Sequence, residues 1–540
     1  MNYKGITKVL AAGLCIAMLA GCGDNKSTEP KTDTDASRET GKEEAKDSAS
    51  DKKVLRLAFP STITSLDVMD GDGATMLKEV AGVIETLVNV DSNFELQPSL
   101  ATEWERTGDK TWVFKLRDDV TFHDGTSFNA EAVKWCLDRS LKDNESLRQT
   151  TGIDTVEVID DYTVQFAMTE PTGELPEAFT NVGTAIVAKS SVNDAGEFVT
   201  AVGTGYFKQE SFDVGSGTFT CVPYDGYYKD VKTNVTERKI VSIADASTRS
   251  LSAQNHEIDV ATDVPFSDLE TLKDADGIQV QQFNTARTYF YSYNVNKEYL
   301  KDANVRKALI YAINRDELVK DVLLGVGAVP EGIFIKDMPW VNTEVDNYDY
   351  DAEKAKAMLE AAGYKDSDGD GILDKNGEKL SLNIVTGSRR PGNALIAQAT
   401  QGYFENIGVE AAVEVLDGNA YNEVIEKGSF DLCLNSAATG YVPSASYYLE
   451  TYYHSKSSNG KNIGYSNPEL DRLIEQCKAA DRGEEKNELS RKAQAIAQED
   501  AVVYTVADYG AVFVLSDAVE NFSYSAAVHD FIVPNEVSLK

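Results

Sequence analysis

From residue 53 onward, apolar positions follow two periods that interleave along the chain. Val54, Leu55, Leu57, Ala58 and Phe59 form a short run broken only by Arg56 and ended by Pro60. That pattern predicts a largely buried strand. In "KTWVFKLRDDVTFHDG" (110–125), alternation puts Trp112, Phe114 and Leu116 on one face, as in a hairpin. "TVEVIDDYTVQFAM" (155–168) predicts a second hairpin turning at Asp160 and Asp161. Helical spacing appears between them: Asn129 is placed to cap "NAEAVKWCLDRSL" (129–141), where Ala132, Val133, Cys136 and Leu137 make the stripe. "NVRKALIYAINRDELVKDVLLG" (304–325) predicts one long helix stopped at Gly325, and "DAEKAKAMLEAAG" (351–363) another capped by Gly363. A strand over 379–387, a helix over 394–408 and a strand over 409–416 follow. This β-α-β rhythm predicts an α/β fold, a sheet covered by helices.

The N-terminus departs from that pattern. Lys4 and Lys8 precede an apolar run from Val9 to Ala20, too short to span a bilayer and matched to a signal segment. It ends in Leu19-Ala20-Gly21-Cys22, which resembles the bacterial lipobox, so Cys22 is the expected lipidation site. Residues 23–52 contain no large apolar residue and predict a disordered tether. An exported chain, lipid-anchored to the outer face of a bacterial cytoplasmic membrane, is the expectation.

The 540 residues carry a net charge of −36, which excludes nucleic acid as a partner and suits cationic or zwitterionic ligands. Beyond Cys15 and Cys22, only Cys136, Cys221, Cys433 and Cys477 remain, without C-x-x-C spacing, and no disulfide is assigned. Four histidines (His123, His256, His454, His529) make no close metal pair. No nucleophile elbow or phosphate loop is present, so no catalytic centre is expected. Aromatic residues cluster instead, in "TYFYSYNV" (288–295) and "GYVPSASYYLETYYH" (440–454). Tyrosines so grouped suit a core or the wall of a ligand cleft. "DSDGDGILDKNG" (366–377) places Asp366, Asp368, Asp370, Gly371 and Asp374 on a calcium-loop template, but Gly377 stands where the template needs a bidentate Glu. A structural calcium at Asp366, Asp368 and Asp370 is one expectation; a tight surface connection is the other.

Several segments together resemble one family, the family 5 extracytoplasmic solute-binding proteins of peptide and nickel ABC importers. "LQPSLATEWERTGDKTWVFKLRDDVTFHDGTSFNAEAVKW" (96–135) is similar to its signature region. "AVGTGYF" (201–207) resembles its Gly-Thr-Gly-Pro-Tyr turn, with Tyr206 where Pro is usual, and the segments at 304–327 and 348–363 resemble two more. The resemblance implies a type II periplasmic-binding-protein fold, two lobes with a hinge plus an inserted extra domain. Lobe I would comprise 53–98, 204–285 and 503–540; the extra domain 99–203; lobe II 286–502. It implies a monomeric receptor, no catalysis and no required cofactor, with ABC permease and ATPase subunits as partners. A secreted hydrolase is the remote alternative.

Carried over by position, the resemblance implies ligand residues. Arg389 and Arg390 in "GSRRPGN" stand where dipeptide binders hold a peptide carboxylate. The acid that those binders place before a Pro to hold the amino group is replaced by Val442. His454, eleven residues past Pro443, matches the nickel binders' ligand to a chelated metal. Met76 and Tyr441 lie on segments that line the site in those relatives. An oligopeptide is the first expected ligand and a nickel chelate the second.

Overall fold

The computed structural model describes residues 52–527 and 531–540; Cys22, His529 and the N-terminal segments lie outside them. One ten-stranded sheet runs through the chain, in the order Glu410–Leu416, Ser381–Gly387, Leu432–Ala438, Ile278–Tyr293, Val503–Ser516, Val260–Thr262, Val54–Phe59, Glu237–Ser242, Thr218–Pro223 and Phe207–Asp213. The first three strands are mutually parallel, as are Val260–Thr262, Val54–Phe59 and Glu237–Ser242. The first set runs to one edge of the sheet, and the second is flanked on its far side by the antiparallel strands Thr218–Pro223 and Phe207–Asp213.

Two long antiparallel strands, Ile278–Tyr293 and Val503–Ser516, join the halves. Val503–Leu515 is buried throughout, as its nearly unbroken apolar run requires for a strand covered on both faces. Regular pairing between the two strands breaks from Asn284 to Thr288, opposite Gly510 to Asp508. There a third segment passes close: Gly327 has φ +98°, and a Cβ on Gly510 would lie 2.4 Å from the Gly327 amide nitrogen. Both positions therefore require glycine.

A separate antiparallel sheet, Ala101–Gly108, Thr111–Leu116, Thr163–Met168 and Ile153–Asp160 in that order, carries the helix Ala130–Asp143. The Asn129 side chain caps that helix by accepting from the Ala132 N–H. Phe114 meets Phe166 and Phe179 edge-to-face, at 5.3 and 5.1 Å.

Two expected elements differ. The hairpin predicted over 110–125 has only its first arm: Thr111–Leu116 pairs with the strand just before it, Ala101–Gly108, and with the distant Thr163–Met168, and 117–125 is loop. The helix predicted over 304–325 ends at Tyr311. Asn314 starts a new turn by accepting from the Glu317 N–H, and Arg315 turns inward to the Asn347 carbonyl, 2.6 Å away. An apolar stripe does not reveal such a local side-chain competitor for backbone bonds. Among the described residues, no helix is long and apolar enough to cross a membrane.

Candidate functional site

Arg389 and Arg390 sit between the strand Ser381–Gly387 and the helix Pro391–Glu405, which Pro391 starts at its first position. Both reach across to the first half. Arg390 Nη1 lies 2.9 Å from Asp263 Oδ2, and both side chains are nearly buried. Asp263 has φ +53°, a left-handed conformation uncommon outside glycine, and accepts a short hydrogen bond from the Tyr509 hydroxyl. Arg389 donates to Ser61 Oγ at 2.9 Å and to Asp72 Oδ1 at 2.7 Å. Arg389, Arg390, Asp72 and Asp263 border a cavity of about 20 Å³, room for one water.

Tyr441 follows the strand Leu432–Ala438. It borders a second cavity of about 30 Å³ with Lys78 and Glu79 of the first half and Asn181, which follows the four-stranded sheet. Gly440 beside it permits a close approach, since a Cβ there would lie 2.9 Å from the Ala286 Cβ. Met76 is fully buried and opens the turn Met76–Val80 that carries Lys78 and Glu79, so it supports the wall from within. Most clustered tyrosines, including Tyr289, Tyr291, Tyr293, Tyr448 and Tyr453, are core. The structure thus brings Arg389, Arg390, Tyr441 and the Met76 turn to the meeting of the halves.

His454 stands apart. Its Nδ1 accepts from the Lys456 N–H at 3.1 Å, its Nε2 lies 3.3 Å from Glu475 Oε1, and Asp471 Oδ1 is 3.6 Å from Nδ1. These partners all belong to the second half. His123 is half-buried and bonded to Gly203 and Gly205, and its loss of solvent pushes its pKa down to about 4.

Asp366, Asp368 and Asp370 bring carboxylate oxygens within 4.8 Å of one another on an exposed loop. Lys379 is ion-paired with Asp370, and Asp366 accepts from the Gly369 and Gly371 N–H groups. The strand Ser381–Gly387 separates this loop from Arg389, a span of roughly 20 Å at the usual rise per residue. Cys136, Cys221, Cys433 and Cys477 are free and buried.

Sequence reasoning did not find the partners Asp72, Asp263, Ser61 and Asn181, nor the bond from Arg139 Nη1 to Asp67 Oδ1 at 2.9 Å. The "DGDG" at 70–73 carried a turn signal that marks Asp72; nothing comparable marks Asp263.

The family model described as Bacterial extracellular solute-binding proteins, family 5 Middle, matches residues 95–460. The probable D,D-dipeptide-binding periplasmic protein DdpA of Escherichia coli is 24% identical over 82% of this chain and 85% of its own. The oligopeptide-binding protein AppA of Bacillus subtilis is 27% identical over 90% of both chains. The crystal structure of a nickel ABC transporter from Bacillus halodurans superposes with a TM-score of 0.73 at 28% identity, covering 90% of this chain and all of that one. The fold is the α/β fold of the periplasmic binding proteins, with the halves meeting at the two crossing strands. The chain belongs to family 5 of the bacterial extracellular solute-binding proteins.

Proposed function

We propose that this chain captures an oligopeptide outside the cytoplasmic membrane and delivers it to the permease and ATPase of an ABC importer. It would be held at the membrane by lipid on Cys22 and act without catalysis. The chain's own cleft supports a peptide. The strand Leu432–Ala438 outruns its parallel neighbour: pairing with Ser381–Gly387 ends at Leu434, while pairing with Ile278–Tyr293 continues to Ala438. Residues 435–438 therefore have a sheet partner on one side only, and they run into Tyr441. Such an edge accepts the main chain of an extended peptide, with side pockets adding selectivity. The halves would part at the register break near Asn284 and Asp508, admit the peptide and close on it.

The nickel-chelate reading rested on His454, whose nitrogens are turned to its own half. Among the described residues, no imidazole borders the cavity beside Arg389 and Arg390 or the one beside Tyr441. A structural calcium at Asp366, Asp368 and Asp370 has the convergence of the three carboxylates in its favour and the Lys379 ammonium against it.

The test is to denature the purified chain, identify what it releases by mass spectrometry, and titrate the stripped chain calorimetrically. Released peptides, and saturable binding from a tryptic digest of casein, are expected. Binding of nickel with histidine but not of the digest would overturn the peptide assignment.

A further inference from the structure

The segment after the four-stranded sheet meets the second half through buried charge, beside a third cavity of about 340 Å³ that Glu177, Arg482 and Lys486 border. Glu174 is buried, and one of its oxygens takes three donors from the second half: the Ser444 hydroxyl, the Ser446 hydroxyl at 2.6 Å and the Lys486 ammonium at 2.8 Å. Lys486 is itself buried and also donates to the Ala480 carbonyl at 3.1 Å. Next to Glu174, the Gly173 N–H donates to the Lys478 carbonyl at 2.9 Å. A Cβ on Gly173 would lie 2.1 Å from the Ala480 oxygen, so the two backbones touch. Glu177, from the same segment, lies 3.4 Å from Arg482. Burial alone would raise the Glu174 carboxyl, but Lys486 and the two serines outweigh it and hold it below the usual carboxylate range.

Ser444 and Ser446 form the turn that follows Tyr441 in the connection from the strand Leu432–Ala438 to the helix Tyr447–Tyr453, and Ser444 Oγ also accepts from the Ser446 N–H at 3.1 Å. The carboxylate that organises this turn thus comes from the opposite side of the seam. Before the seam forms, the turn lacks its central acceptor and Lys486 lacks its counter-charge.

We propose that Glu174 and Lys486 are positioning residues for ligand capture: on closure their ion pair orders the Ser444–Ser446 turn and so sets Tyr441 against the cleft. This rests on the receptor reading above. A buried pair is costly when one partner is removed, but often neutral when both charges go. The pair of single and double variants therefore separates positioning from simple destabilisation.

The experiment uses the full chain and two readouts: hydrogen–deuterium exchange over residues 438–447, and calorimetric binding of a tryptic casein digest. Glu174→Gln and Lys486→Met are each expected to speed exchange in that segment about tenfold and weaken binding about tenfold, with the rest of the second half unchanged. The double variant should recover part of both. Gly173→Ala, which keeps both charges but wedges the seam, should loosen the same segment and serves if a charge variant does not fold. Wild-type exchange and binding in both single variants and in Gly173→Ala would overturn the proposal. If the wild type binds nothing from the digest while the variants still loosen 438–447, the peptide reading fails and the ordering of the turn stands.

Discussion

Arg390 crosses from the second half to Asp263 in the first, its Nη1 2.9 Å from Asp263 Oδ2 and neither side chain more than 10% exposed. Removing the guanidinium would strand a buried carboxylate, at roughly 3–5 kcal/mol. The halves can escape that cost only by parting, which returns Asp263 to water. Arg390→Met is therefore expected to do one of two things. Either its unfolding free energy in urea falls by about 3 kcal/mol, or its radius of gyration in solution scattering grows while stability is kept. Wild-type values in both measurements would show that the pair does not hold the halves together.

Arg389 behaves differently because its side chain is 59% exposed. An exposed ion pair such as that with Asp72 contributes about 0–1 kcal/mol. Arg389→Ala should leave stability within about 0.5 kcal/mol of the parent. If Arg389 exchanges Asp72 for the carboxylate of an incoming peptide, the variant will bind free-acid peptides about tenfold less tightly. Amide-capped peptides should bind both proteins equally. An equal loss for capped and uncapped peptides would mean that Arg389 does not read the carboxylate.

His454→Ala tests whether that imidazole serves the ligand or the fold. The ring is buried and ties Lys456 to Glu475. Losing a buried hydrogen-bonded ring costs about 1–3 kcal/mol. The expected result is that much loss in thermal or urea stability, with binding of the casein digest unchanged. Weaker binding at unchanged stability would return His454 to the ligand.

The contrast between the two arginines also shows what one sequence carries. Local periods read well. Val54–Phe59 is the strand its apolar run predicted, Asn129 caps its helix, and the second hairpin turns at Asp161 and Tyr162, one residue later than expected, with Asp160 paired to Thr163. Arg389 and Arg390 stood out because "GSRRPGN" matches by position the Arg-Pro segment of the dipeptide binders that the chain resembles. Their partners did not, since Asp72 and Asp263 lie 317 and 127 residues away in a chain of 88 acids. Pairing across a closing cleft leaves no period in the sequence. The splitting of the 304–325 helix was hidden for a related reason: the Asn314 cap competes locally with a stripe that continues through it.

Asp508 carries the last prediction. It lies at the register break of the crossing strands, its backbone bonded both ways to Ala328, at 2.8 and 3.3 Å. Its Oδ1 is buried without a hydrogen-bond partner among the described residues. Burial, reinforced by Glu331 and Asp337 against the pull of Arg315 and Lys336, pushes its pKa up to about 7. The folded chain thus binds this proton more tightly than the unfolded chain, where an aspartate titrates near 3.9. The protonated carboxyl favours the fold fully below about pH 4, and that contribution is lost as the pH rises through 7. A gap of about three pH units corresponds to about 4 kcal/mol. Asp508→Asn keeps the shape and cannot ionise. Relative to that variant, the wild type should lose up to about 4 kcal/mol of urea-unfolding free energy between pH 4 and 8, most of it before pH 7. A difference that stays flat across that range would mean that the carboxyl at the hinge is ionised at no cost, with the strands already open to water there.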